Sequence, residues 1–136
     1  MTPGMTLQYL GSLRCEGTHL RSGKTVITDA PPDNNGKGEA FSPTDLVCTS
    51  LAACMVTIMA ITAEKKDIRL GHIKAHIEKI MANDPRRVIG IHINMEIEET
   101  GISDKEKEMV QHAARTCPVA RSLHPDIAQQ VEFSYV

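Results

Sequence analysis

Ser42-Pro43-Thr44-Asp45-Leu46-Val47-Cys48-Thr49-Ser50-Leu51-Ala52-Ala53-Cys54, running on through Met55 to Ala63 with no charged side chain after Asp45, is the stretch that decides how this chain folds. It opens as a helix opens. Ser42 stands as N-cap, Pro43 takes the first helical position, and Asp45 follows the cap by three residues, close to a capping box. Val47, Leu51, Cys54, Ile58 and Ile61 then recur at steps of four, three, four and three, one continuous helical stripe. That stripe is predicted to be the buried face, with Cys54 on it. Thr and Ser interrupt the run and Asp45 and Glu64 bound it, so it reads as a buried helix rather than a membrane span.

Working back from this helix, residues 29–40 contain Pro31-Pro32 and Asn34-Asn35-Gly36-Lys37-Gly38, a density of turn formers that predicts a loop. Thr18 to Arg21 and Lys24 to Thr28 flank a turn at Ser22-Gly23. Leu7, Tyr9, Leu13 and Cys15, with Gly11 filling the gap, alternate as a half-buried strand does. Working forward, the period changes to two after Gly71. Ile73, Ala75 and Ile77 form one run and Ile89, Ile91, Ile93, Met95 and Ile97 another. Asn83-Asp84-Pro85-Arg86 supplies a turn between them, which predicts an antiparallel hairpin. Ser103 and Glu106 form a second capping box, opening a helix that carries Met109, Val110, Ala113 and Ala114 inward and stops near Thr116. Pro118 disfavours helix at Cys117 and begins a short helix to Leu123, placing Cys117 at its amino terminus. Val131, Phe133 and Tyr135 close the chain as a strand. The order is that of an α+β fold in a single domain, residues 1–136.

The chain has 136 residues, 41% of them apolar, yet no Trp and only two Phe and two Tyr. Ile, Val, Leu and Met must therefore fill the core, and a partner chain would help to complete it. The net charge of −2 comes with scattered Lys and Arg, offering no basic stripe for nucleic acid. Met1-Thr2-Pro3-Gly4 has no basic segment leading into an apolar one, so no signal peptide is predicted, and the expected location is the cytoplasm. Four cysteines in a reducing compartment point away from structural disulfides and towards catalytic, redox or metal chemistry.

A thiol acts as nucleophile only as thiolate, favoured by a helix amino terminus or a nearby cation. Cys117 has the first. Cys54 lies about three turns inside its helix, so an activating charge must come from elsewhere, and a cysteine on a buried stripe is most often a small core residue. Spacing does not say whether the two sulfurs meet. Cys48 is rotated about 120° from Cys54 around the helix, and Cys15 lies on the apolar face of a strand, so both read as packing residues.

Ser42-Pro43-Thr44-Asp45-Leu46 leading to Ser50-Leu51-Ala52-Ala53-Cys54, with Cys117-Pro118-Val119 much later, resembles the OsmC/Ohr family. Gly23, the segment Thr28-Asp29-Ala30-Pro31, the loop before Phe41 and the final Val131-Glu132-Phe133 extend the likeness over most of the chain. The resemblance implies antiparallel sheets around a long central helix that carries the first cysteine, in a swapped, intimate homodimer. It also implies thiol-dependent reduction of organic hydroperoxides, with a lipoyl-type dithiol as reductant and no cofactor or metal. Cys54 would be the peroxidatic cysteine and Cys117 the resolving one, joined in a disulfide after each turnover. This chain departs from the family's peroxidases in two places. Their Glu ten residues before the peroxidatic cysteine, which helps to hold an activating Arg, is here Thr44, and the carboxylate stands at Asp45, where a capping role accounts for it. Arg14 and Arg21 are the arginines of the amino-terminal region, and neither sits in the family's Gly-Arg-type motif.

Two other readings stay open at this stage. One is a non-enzymatic OsmC-like dimeric domain binding some ligand, with separated or inert thiols. The other is a metal-binding protein using Cys54, Cys117 and a histidine such as His112 or His124. His72 and His76 share one strand face and His92 stands on the polar face of its neighbour, which solvent-facing histidines explain.

Overall fold

A computed structural model describes residues 3–136, which form two compact units, residues 3–47 and 48–136. The first unit is a three-stranded antiparallel meander of β1 (Met5–Gly11), β2 (Arg14–His19) and β3 (Thr25–Asp29). The predicted single strand from Leu7 to Cys15 is instead the hairpin β1–β2. Gly11 pairs with Arg14, and the two residues between them, Ser12 and Leu13, have φ of 54° and 63°. Positive φ at both central positions is the two-residue hairpin turn whose twist matches that of the strands. Leu7 and Tyr9 face Gly17 and Cys15 across the pair, so the apolar alternation continued through the turn and concealed it. The predicted loop follows β3 and contains one 3-10 turn, Pro32–Asn34.

Helix α1 (Pro43–Lys65) runs from the first unit into the second. Its start is as predicted. The Asp45 N–H donates to Ser42 Oγ at 3.0 Å, and the Ser42 N–H donates to Asp45 Oδ2 at 2.9 Å, closing a reciprocal cap. By length and composition α1 could cross a membrane, yet Cys48, Leu51, Ala52, Met55, Met59 and Ala63 are buried in the core of this unit. The buried face is thus rotated from the predicted one. Val47 and Ile61 are 37% and 41% exposed, and Cys54 lies on the flank, half-buried. A helix apolar nearly all round offers more than one apolar stripe, and packing against the sheet selects among them.

The sheet of the second unit has the order β4 (Ile73–Ala82), β5 (Arg87–Ile97), β6 (Ala128–Tyr135), with β4 antiparallel and β6 parallel to the central β5. Ile91, Ile93, Met95 and Ile97 on β5 are each at most 1% exposed and form the centre of the core. Ile89 is not among them. Ile80 pairs with Gly90 and Met81 with Val88, so Ile89 is the extra residue of a bulge and is displaced from the inward phase. Helix α2 (Asp104–Arg115) has the predicted Ser103–Glu106 capping box and buries Val110 and Ala114. Helix α3 (Pro118–Ser122) follows at once, with Cys117 as its N-cap.

Candidate functional site

Cys117 has no exposed surface, and Cys54 is half-buried. The turn from α2 into α3 fixes the first. Cys117 N–H reaches the Ala114 carbonyl at 3.4 Å, and Pro118 starts α3 immediately, so the side chain turns back over the new helix. There Cys117 Sγ accepts the Ala120 N–H at 3.4 Å, in the position a Ser or Asp cap would occupy. Cys54 lies close enough to bear on the ionisation of the same sulfur, so residues 63 positions apart in sequence come together at one site. Burial pushes the Cys117 thiol above its ordinary range, the Ala120 N–H opposes that rise, and the adjoining Cys54 sulfur reinforces it by hydrogen bonding and like-charge repulsion; the Val119 N–H also opposes it.

The pair is asymmetric in its environment. Cys117 is enclosed, stays protonated at neutral pH and has backbone donors aimed at its sulfur, whereas Cys54 offers a face to the outside. Two adjoining thiols, one reachable and one shielded, can be oxidised stepwise to a disulfide.

The groups considered as activators lie in the first unit. Arg14 meets Asp29 in a two-pronged ion pair, Nε to Oδ1 at 2.7 Å and Nη2 to Oδ2 at 2.8 Å, and its Nη2 also reaches Glu39 Oε1 at 3.1 Å. The Glu39 N–H donates to Asp29 Oδ2 at 3.0 Å, so the buried Asp29 carboxylate also ties down the loop that leads to α1. The Arg14 guanidinium holds that carboxyl below its usual range. Arg21 is exposed beyond the end of β2. Thr44 Oγ1 lies 3.2 Å from Ser42 Oγ, within the helix cap, and Asp45 is the cap's carboxylate as predicted. The Asp29–Glu39 arrangement was not read from the sequence; an acid inside a turn-rich loop gives no sign of its partner.

Cys48 is buried, as a packing residue is, and Cys15 is half-buried on β2. His76 lies opposite Asn94 and His92 opposite Glu78 in the β4–β5 ladder, while His72, His112 and His124 are exposed. Among the described residues no group of three or more His, Cys, Asp or Glu is close enough to hold a metal ion.

A family model described as OsmC-like protein matches residues 36–132, which include both cysteines. A crystal structure from Psychrobacter arcticus 273-4, provisionally named an osmotic stress induced and detoxification response protein, is 48% identical, with a TM-score of 0.90 over 98% of this chain and 96% of that one. An organic hydroperoxide resistance protein OsmC from Legionella pneumophila is 18% identical, with a TM-score of 0.72 over 96% of each chain. A Vibrio cholerae protein provisionally named for organic hydroperoxide resistance, with captopril bound in one of its active sites, is 17% identical, with a TM-score of 0.72 over 98% of this chain and 91% of that one. No curated protein matches the sequence.

Proposed function

This chain belongs to the OsmC-like protein family, and from that membership, joined to the Cys54–Cys117 contact, we propose that it is a thiol-dependent peroxidase acting on organic hydroperoxides. The observation that carries the reading is the meeting of a reachable thiol with a shielded one. Family relatives named for organic hydroperoxide resistance share the fold and support the substrate class.

The Cys54 thiolate attacks the terminal oxygen of the hydroperoxide. The O–O bond breaks, the alkoxide leaves as an alcohol after taking up a proton, and Cys54 becomes a sulfenic acid. Cys117 sulfur then attacks Cys54 sulfur. The sulfenic oxygen departs as water, carrying the Cys117 proton, and a disulfide joins the pair. A lipoyl-type dithiol is oxidised to its own disulfide as it restores both thiols, so neither metal nor cofactor takes part. The enclosure of Cys117 limits its direct attack by peroxide and by wrong partners, and its contact with Cys54 favours fast resolution before the sulfenic acid oxidises further.

The working form is a homodimer in which residues 1–136 make one domain per subunit, placed in the cytoplasm. Two uncovered apolar surfaces support the assembly. On the meander, Met5, Leu7 and Val26 border a shallow trough of about 420 Å³ and are 79%, 70% and 44% exposed. On α1, Ala53, Ala60 and Ile61 point away from the core and leave a strip narrow enough for a second helix to approach closely. The reading is tested by titrating purified protein with cumene hydroperoxide and with hydrogen peroxide while following free thiols and the mass of the Cys54–Cys117 peptide pair. The disulfide should form at about one equivalent of the organic peroxide. No disulfide at any ratio would end the proposal.

A further inference from the structure

On β6 the residues Gln129, Val131, Phe133 and Tyr135 share one side of the strand, the side that faces the core. Three of them are the apolar residues that position requires, although Tyr135 carries a hydroxyl that Gln111 Nε2 satisfies at 3.1 Å. Gln129 breaks the pattern. A polar side chain in an inward row calls for a partner, and Gln129 Nε2 donates to the Ala120 carbonyl at 3.0 Å.

Ala120 is the residue whose own N–H meets Cys117 Sγ. Helix α3 has only five residues, too few to persist on intrinsic propensity, so its place depends on what fastens it. Val119, Ala120 and Leu123 pack partly against the core, Ser122 Oγ bonds to the Pro118 carbonyl at 2.7 Å within the helix, and Gln129 supplies a directional side-chain bond from α3 to the sheet. β6 in turn is hydrogen-bonded along β5, with Gln129 in register with Ile91. The chain of contacts therefore runs from the rigid centre of the sheet, through one amide side chain, to the peptide groups that hold the shielded sulfur.

We propose that Gln129 is a positioning residue for the resolving step: by fixing Ala120 it keeps the α3 amides on Cys117 Sγ and that sulfur in line with Cys54. The inference rests on the peroxidase reading for its physiological meaning, but not for its geometry. When Cys117 attacks the oxidised Cys54 it must yield its proton and carry developing negative charge, and donors already aimed at its sulfur stabilise that charge without rearrangement. Losing the tether lets α3 shift, and the second step slows while the first, which involves Cys54 alone, does not.

The test separates those steps. Wild type, Gln129→Met, Gln129→Glu and Gln129→Lys are treated in parallel with cumene hydroperoxide and with an aromatic disulfide, dithiobis(nitrobenzoate). Quenched samples are read by mass for the Cys54 intermediate, as dimedone adduct or mixed disulfide, and for the Cys54–Cys117 disulfide. Met removes the donor at similar volume, Glu sets an acceptor against the Ala120 carbonyl, and Lys keeps a donor. Both Met and Glu should form the Cys54 intermediate at the wild-type rate and close the disulfide roughly three- to tenfold more slowly, the range one ordinary hydrogen bond carries. Lys should close it within about twofold of wild type. Closure at the wild-type rate in both Met and Glu, or equal slowing in all three variants, overturns the assignment; agreement of Glu alone suffices for it if Met does not fold. If wild type ignores the peroxide but closes the disulfide with the aromatic reagent, the peroxidase reading falls and the role of Gln129 is still decided by the second arm.

Discussion

Met59 and Ile61 are two residues apart on α1 and report on opposite faces of it. Met59 has no exposed surface and sits in the core with Met55, Ile93 and Val110, whereas Ile61 is 41% exposed. Replacing a fully buried Met by Ala removes its transfer free energy and leaves a cavity, about 3 kcal/mol within a range of roughly 2–5. With a urea slope of about 2 kcal/mol per molar for a chain of this size, the unfolding midpoint of Met59→Ala should fall by about 1.5 M. Ile61→Ala deletes atoms already partly in water and leaves no enclosed cavity, so it should lower the midpoint of dilute protein by less than about 0.5 M. In concentrated protein the Ile61 effect should grow, because the proposed dimer would cover that face. The assay is urea unfolding followed by circular dichroism at two protein concentrations. The reasoning is refuted if Ile61→Ala costs dilute protein as much as Met59→Ala, since the buried stripe would then be the one through Val47, Cys54 and Ile61.

Three further outcomes follow from particular contacts. Asp45→Ala removes one half of the α1 cap and should cost about 1 kcal/mol by denaturation, while the alkylation rate of Cys54 stays within about twofold; a large loss of Cys54 reactivity would give the carboxylate a part in the site. Asp29 has its carboxyl lowered chiefly by its bond to Arg14, so its contribution to stability is present above the ordinary value of 3.8 and is lost as pH falls through the lower folded value. Melting curves from pH 6 to pH 2 should therefore show wild type and Asp29→Asn converging at the acid end, and parallel curves would contradict the pairing. Cys117, with its thiol raised above the ordinary 9.0 by burial first, favours folding below that pH and loses the contribution as pH rises beyond it, because the unfolded thiol ionises first. Cys117→Ala should flatten the decline in melting temperature between pH 8 and pH 10.

Much of the fold was legible because local signals and global packing agree. Ser42 and Asp45, Ser103 and Glu106, and Pro118 each mark a helix start that the structure contains. The alternation in β4 and β5 and the turn at Asn83-Asp84-Pro85-Arg86 gave the hairpin. The misreadings have a common physical source, which is periodicity without a unique phase. In α1, apolar residues surround the helix, and only the sheet decides which of them are covered. In β1–β2 the apolar alternation passes through Ser12-Leu13 with its parity intact, and a turn that lacks Asn-Gly gives no warning. At Ile89 a bulge shifts the phase by one residue. The parallel seat of β6 beside β5 depends on contacts distant in sequence, as does the meeting of Cys54 with Cys117. Gln129 did carry a sequence signal, a polar residue in step with Val131, Phe133 and Tyr135, although its partner could not be named from it.

The proposed chemistry stands on Cys54 as the sulfur that meets the peroxide and on Cys117 as the one that closes the bond. The most direct measurement is turnover of cumene hydroperoxide with a lipoyl-type dithiol by wild type, Cys54→Ser and Cys117→Ser, with the sulfenic acid trapped by dimedone. Wild type should turn over through the Cys54–Cys117 disulfide, Cys117→Ser should accumulate the dimedone adduct on Cys54, and Cys54→Ser should leave the peroxide unreacted. Peroxide consumption by Cys54→Ser at the wild-type rate would contradict the account.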